Sequence, residues 1–190
     1  MSADEADTDP VVAAVEEPEP VIPDIDEPGK INKDVIVAGL SNIARSSGGA
    51  FVYVSLDLVG KSISALNDLK TYQELKYINV KNNQLTSVAP LSELTNLLSA
   101  NLQSNFIASI DDVKNDSIQL LQLDSNKLTS FSTGNPFPSL RALTLSKNSI
   151  ATLTAMNAVF PLLEVLDLSN NQLTSLEVSL NQFIILLLYF

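Results

Sequence analysis

The 190-residue chain contains no cysteine, no histidine and no tryptophan. Without thiols there is no disulfide, thiolate nucleophile or cysteine-based zinc site, and without imidazole the commonest acid–base catalyst is missing. Basic residues are scarce as well, 11 Lys and Arg against 22 Asp and Glu, for a net charge of −11. They stand singly, as Lys61, Lys70, Lys76, Lys81, Lys114, Lys127, Arg141 and Lys147, so no stripe faces a phosphate backbone and no nucleic-acid partner is expected. No Gly-rich phosphate loop occurs. The longest apolar run, Phe183 to Phe190, is far shorter than the roughly 20 residues a membrane helix needs, and no membrane partner is expected. Met1 to Pro28 has neither a basic n-region nor an apolar h-region, so a secretory signal is not expected. A cysteine-free chain suits a reducing compartment, which makes Asn115-Asp116-Ser117 a sequon in form only. Asp111, Asp112 and Asp116 cluster but lack the spacing of a calcium loop; they read as a surface loop, with no metal and no cofactor expected.

The acidity is local. Ten of the acidic residues lie within the first 28 positions, among five prolines and no Lys or Arg. Such a segment has too little apolar content to offset an ordering entropy of about 1 to 2 kcal/mol per residue, so residues 1–30 are expected to be a disordered acidic arm. Two roles stand open for it: a solubilising leader, which is the plainer reading, and an arm for a basic partner.

Five asparagines, Asn83, Asn105, Asn126, Asn148 and Asn171, recur at steps of 22, 21, 22 and 23 residues. Each closes a unit such as Leu75-x-x-Ile78-x-Val80-x-x-Asn83-x-Leu85 or Leu163-x-x-Leu166-x-Leu168-x-x-Asn171-x-Leu173. One step earlier, Tyr53-x-x-Leu56-x-Leu58-x-x-Lys61-x-Ile63 keeps the apolar positions and carries Lys at the corner. A period in this range means a solenoid. The apolar-x-apolar centre of each unit predicts a short strand with alternate side chains inward. Beyond the strand the backbone turns out of the ladder, and an Asn amide can bond the peptide groups stranded there, above and below. Behind the strands, Val88, Leu91 and Leu94 and their counterparts fill the opposite side. In the unit that starts at Ile118, the turn-forming stretch 131–138 interrupts that side, and Phe131 and Phe137 are expected to plug the core.

This is the leucine-rich-repeat pattern, and its short period resembles the intracellular class of that superfamily. The expected fold is therefore α/β: a curved parallel-sheet solenoid of about six repeats over 51–182, with an N-terminal helical cap over 31–50. The helix is predicted over 32–47, with Val35, Ile36, Leu40 and Ile43 on one apolar face and Gly48-Gly49 as its stop. Ile185-x-x-Leu188-x-Phe190, one 22-residue step beyond Leu163, opens an incomplete seventh repeat within an apolar tail, 183–190.

Solenoid curvature presents the strand side to partners. Its outward residues are Asp57, Asn79, Asn101, Gln122, Thr144 and Asp167, flanked by Tyr77, Leu120 and Val165 as apolar anchors and by Lys81. Residues 34–97 carry a narrower likeness. Ala38-Gly39-Leu40-Ser41, Gly48-Gly49 with Ala50 to Leu58, Leu75-Lys76-Tyr77-Ile78-Asn79-Val80 and Leu85-Thr86-Ser87-Val88-Ala89-Pro90-Leu91 resemble the leucine-rich-repeat protein of ciliary radial spokes. That resemblance implies a non-catalytic scaffold in the axoneme of a cilium or flagellum, a cytoskeletal location, and radial-spoke or other axonemal proteins as partners. The later repeats also suit a regulatory subunit docked on an enzyme such as a phosphatase, or a ribonucleoprotein assembly factor.

Overall fold

Three-residue strands would not hold alone; here each is one rung of a single sheet, bonded on both sides except at the sheet's end. The computed structural model describes residues 31, 33–131, 137–153, 160–174 and 185–187. The acidic arm, the 132–136 stretch and most of the apolar tail lie outside those residues.

Helix α1 (Lys33–Gly39) leads into β1 (Leu40–Arg45) and β2 (Phe51–Asp57). After these come β3 (Tyr77–Asn79), β4 (Ser99–Asn101), β5 (Leu120–Gln122), β6 (Ser130–Phe131), β7 (Ala142–Thr144), β8 (Thr152–Leu153), β9 (Val165–Asp167) and β10 (Ile185–Leu187). The main sheet has the order β1-β2-β3-β4-β5-β7-β9-β10, parallel throughout except for the antiparallel β1–β2 pair. Leu56, Ile78, Ala100, Leu121, Leu143 and Leu166 fall in register and are all buried. The core is thus one continuous column, joined from behind by Leu91, Leu94 and their counterparts. Short 3-10 helices, Asn67–Thr71 and Ala89–Glu93, return the chain on that far side. They take more room than the roughly 4.8 Å between strands, which bends the coil with the sheet inside.

The N-terminal helix stops at Gly39 instead of running through 47, a correction to the helical cap expected over 31–50. Residues 40–45 pair with the edge of β2 as a hairpin and satisfy its ladder groups. Gly48-Gly49 forms the hairpin turn, with Gly49 at φ 83°, rather than a helix stop. Gly39 is where the helix meets the sheet: a Cβ there would lie 2.4 Å from the Asp57 carbonyl oxygen. Of the four residues assigned to one helical face, Ile36 is buried, Val35 and Leu40 pack against the core, and Ile43 is exposed on the hairpin.

The last strand also departs from the predicted register. Ile185 pairs with Val165 and Leu186 with Leu166, a step of 20 residues and not 22. An uninterrupted apolar run gives neither face a distinguishing pattern, so nothing in it pins the pairing. Phe137 is fully buried and stacks on Phe160 at 5.9 Å between ring centroids; the Phe131 side chain lies outside the described set.

Candidate functional site

At each corner one asparagine bonds its own rung and the rung before it. The Asn83 Oδ1 accepts from the Lys61 and Ile63 amides at 2.9 and 3.0 Å, while Nδ2 donates to the Leu58 and Val80 carbonyls at 2.8 Å. Asn105 takes the Leu85 amide and gives to Val80 and Leu102. The same pattern links Asn126 to Ile107, Leu102 and Leu123, and Asn148 to Leu128, Leu123 and Leu145. Asn171 repeats it with Ile150, Leu145 and Leu168. The reach is one-directional, toward the preceding rung. At the first corner, where Lys61 stands, the Lys61 amide is one of the two that Asn83 receives.

A second corner feature has a sequence signal only at its glycine and asparagines. The residue before each corner, Gly60, Asn82, Ser104, Ser125, Lys147 and Asn170, has φ between 54° and 66°. Glycine and asparagine adopt that left-handed conformation readily; Ser and Lys do so at a cost.

On the strand side the candidate residues line up in register: Asp57, Asn79, Asn101, Gln122, Thr144 and Asp167 in one column, with Tyr77, Leu120 and Val165 in the column beside it. Tyr77 is 49% exposed, and Leu120 and Val165 are half-buried. Several polar members are held by a neighbouring side chain or a nearby backbone amide. Asn79 Nδ2 donates to Asp57 Oδ2 at 3.1 Å, Asn79 Oδ1 faces the Lys81 amide at 3.4 Å, and Asp167 Oδ1 accepts from the Ser169 amide. Asp124, not among the candidates, is the hub: its Oδ2 accepts from Gln103 Nε2 and Thr144 Oγ1, each at 2.6 Å, and its Oδ1 from the Ser146 amide. Only placing three repeats side by side reveals that. At the start of the next column, Arg141 and Glu164 form a surface ion pair.

The sheet face extends onto the hairpin, where alternation puts Phe51 and Tyr53 on the side of Ser55 and Asp57. Ile43 pairs with Tyr53, and Arg45 with Phe51, its guanidinium 5.3 Å from the ring centroid. Ile43, Phe51 and Tyr53 are 62%, 71% and 49% exposed, so with Tyr77 they form an apolar patch at the N-terminal end of the sheet.

Asn115 has a structural role that its place in a sequon does not signal. Its side chain is buried, with Nδ2 donating to the Leu91 and Leu94 carbonyls and Oδ1 accepting from the Ser117 and Ile118 amides. It closes the far side of the coil as the ladder closes the near side. Among the described residues no helix is long and apolar enough to cross a membrane.

Known proteins are similar along the repeats. The Leucine Rich Repeat family model matches residues 162–185. Leucine-rich repeat-containing protein 23 of Bos taurus is 29% identical over 128 residues, 67% of this chain and 37% of the relative. The Homo sapiens protein of that name is 28% identical over the same shares. The matched region thus spans little more than a third of those relatives. A crystal structure of an internalin from Listeria monocytogenes aligns over 70% of this chain and 48% of its own at 19% identity, with a TM-score of 0.45.

Proposed function

We propose that this chain, a leucine-rich-repeat protein, acts as a non-catalytic scaffold that holds other proteins against the inner face of its sheet. The observation that carries the reading is the face itself. Asp57 is bonded to Asn79 and Asp124 to Thr144, while Tyr77, in the column beside Asn79, is exposed. A pre-organised polar surface with an exposed aromatic costs little further ordering when a partner binds. The place of assembly we infer is the ciliary or flagellar axoneme, with radial-spoke or neighbouring axonemal proteins as partners; the support is the resemblance over residues 34–97.

Proximity labelling from a tagged copy in ciliated cells tests both levels. Radial-spoke and axonemal dynein neighbours are expected, and their loss with Tyr77→Ser plus Leu120→Ser would locate the contact. Labelling dominated by a phosphatase or a splicing complex would overturn the axonemal assignment. Unchanged labelling by the double variant would overturn the contact face.

A further inference from the structure

Ser55 is a small, buried residue among larger exposed ones on the sheet face. It pairs with Tyr77 on β3, and Tyr53 and Asp57 lie two residues before and after it on the same side of β2. From the hairpin, Asn42 Nδ2 donates to its Oγ at 2.9 Å. The result is a hollow floored by Ser55, with Tyr53 and Tyr77 on adjoining sides and a carboxylate at its end. A strand spacing of about 4.8 Å and two residues of rise set the two tyrosines about 8 Å apart, room for one flat group, and their rings make no contact with each other.

The carboxylate is held by neutral donors alone. Asp57 Oδ1 accepts from the Val59 amide and Oδ2 from Asn79 Nδ2, each at 3.1 Å. Asp57 is exposed and forms no ion pair with any described residue, Lys81 on the neighbouring strand included. Both oxygens keep acceptor capacity, in an orientation that the two bonds already fix. What fits there is planar, cationic and rich in donors. A guanidinium stacks on tyrosine and bonds a carboxylate through parallel N–H groups, whereas an ammonium is a compact, strongly hydrated charge. The same face already carries one such contact, the Arg45 guanidinium 5.3 Å from the Phe51 ring centroid.

We propose that the hollow over Ser55 receives an arginine side chain of a partner protein, its guanidinium between Tyr53 and Tyr77 and bonded to Asp57. Asp124 and Asp167 are no equivalents: their neighbours in register are Gln103, Gln122, Thr144, Ser146 and Val165, with no aromatic ring. The assignment rests on the sheet face being a contact surface. The isolated protein tests it, whereas failure of the contact face would show in partner labelling.

Backbone amide spectra of the isotopically labelled full-length chain, recorded at low salt while N-acetyl-arginine methylamide is added, read the site directly. Saturable shifts are expected at Ser55, Asp57 and Asn79, with the amides of Asp124 and Asp167 unmoved. The citrulline counterpart keeps the shape without the charge and the lysine counterpart the charge without the plane; each is expected to bind at least about five-fold more weakly. Asp57→Asn is expected to weaken the arginine probe about ten-fold or more, since charge-assisted bonds are lost, and Tyr53→Ser plus Tyr77→Ser about five-fold. Unshifted amides in the later repeats report that each variant stays folded. Lysine binding as tightly as arginine, or shifts spread evenly over Asp124 and Asp167, would reduce the effect to bare charge and overturn the proposal. Absence of a saturable shift at Ser55 would overturn it too. So would movement of these amides when the protein alone is concentrated, which would give the hollow to a second copy.

Discussion

At the scale of single residues, hydrogen-bond supply and backbone angle explain different positions. Asn115 satisfies two carbonyls and two amides in a buried corner, so Asn115→Ala leaves them unpaired and is expected to cost about 1 to 3 kcal/mol. A urea midpoint equal to that of the unmodified protein would show that water replaces the amide. Gly60 and Lys147 share the left-handed angle with opposite fitness for it. A Cβ at Gly60 meets nothing within 4 Å, so Gly60→Ala isolates backbone strain, at about 1 kcal/mol, and Lys147→Gly is expected to recover up to about that much. Thermal midpoints moving in opposite directions would support this; a shared direction would not. None of these positions except Gly60 carries a residue type that announces its role.

Among elements, the hairpin cap shows where sequence pattern and packing part. The apolar spacing over 35–43 suits a helix, yet the unpaired edge of β2 outweighs it, because a missing ladder bond costs more than the propensity of a few residues. Gly39 marks the change. With a Cβ there 2.4 Å from the Asp57 carbonyl and 2.8 Å from Leu58 Cδ2, Gly39→Ala must displace the helix and is expected to cost about 1 to 3 kcal/mol. Gly48→Ala, whose Cβ meets only Ser46 Oγ at 3.9 Å, is expected to be nearly silent. Comparable urea midpoints for the two variants would mean the cap does not seat on Asp57. The strands and ladder asparagines were legible because each role recurs at one spacing. Asp124, Asn115 and the hairpin patch were not, since their partners come from different repeats or from an end that no repeat describes.

Across the whole molecule, each turn of the coil touches only its neighbours, so stability and binding surface are built from the same joints. The ladder fixes one rung to the last, and the register it enforces places Asp57, Asn79 and their companions side by side. Amide hydrogen exchange in Asn83→Ala tests that claim most directly, because the Lys61 and Ile63 amides both donate to the Asn83 oxygen. The account predicts that exchange at Lys61 and Ile63 accelerates by about ten-fold or more, as expected when a hydrogen bond worth over 1 kcal/mol is lost, while Leu128 and Ile150, held by Asn148 and Asn171, keep their protection. Unchanged exchange at Lys61 and Ile63 would contradict it.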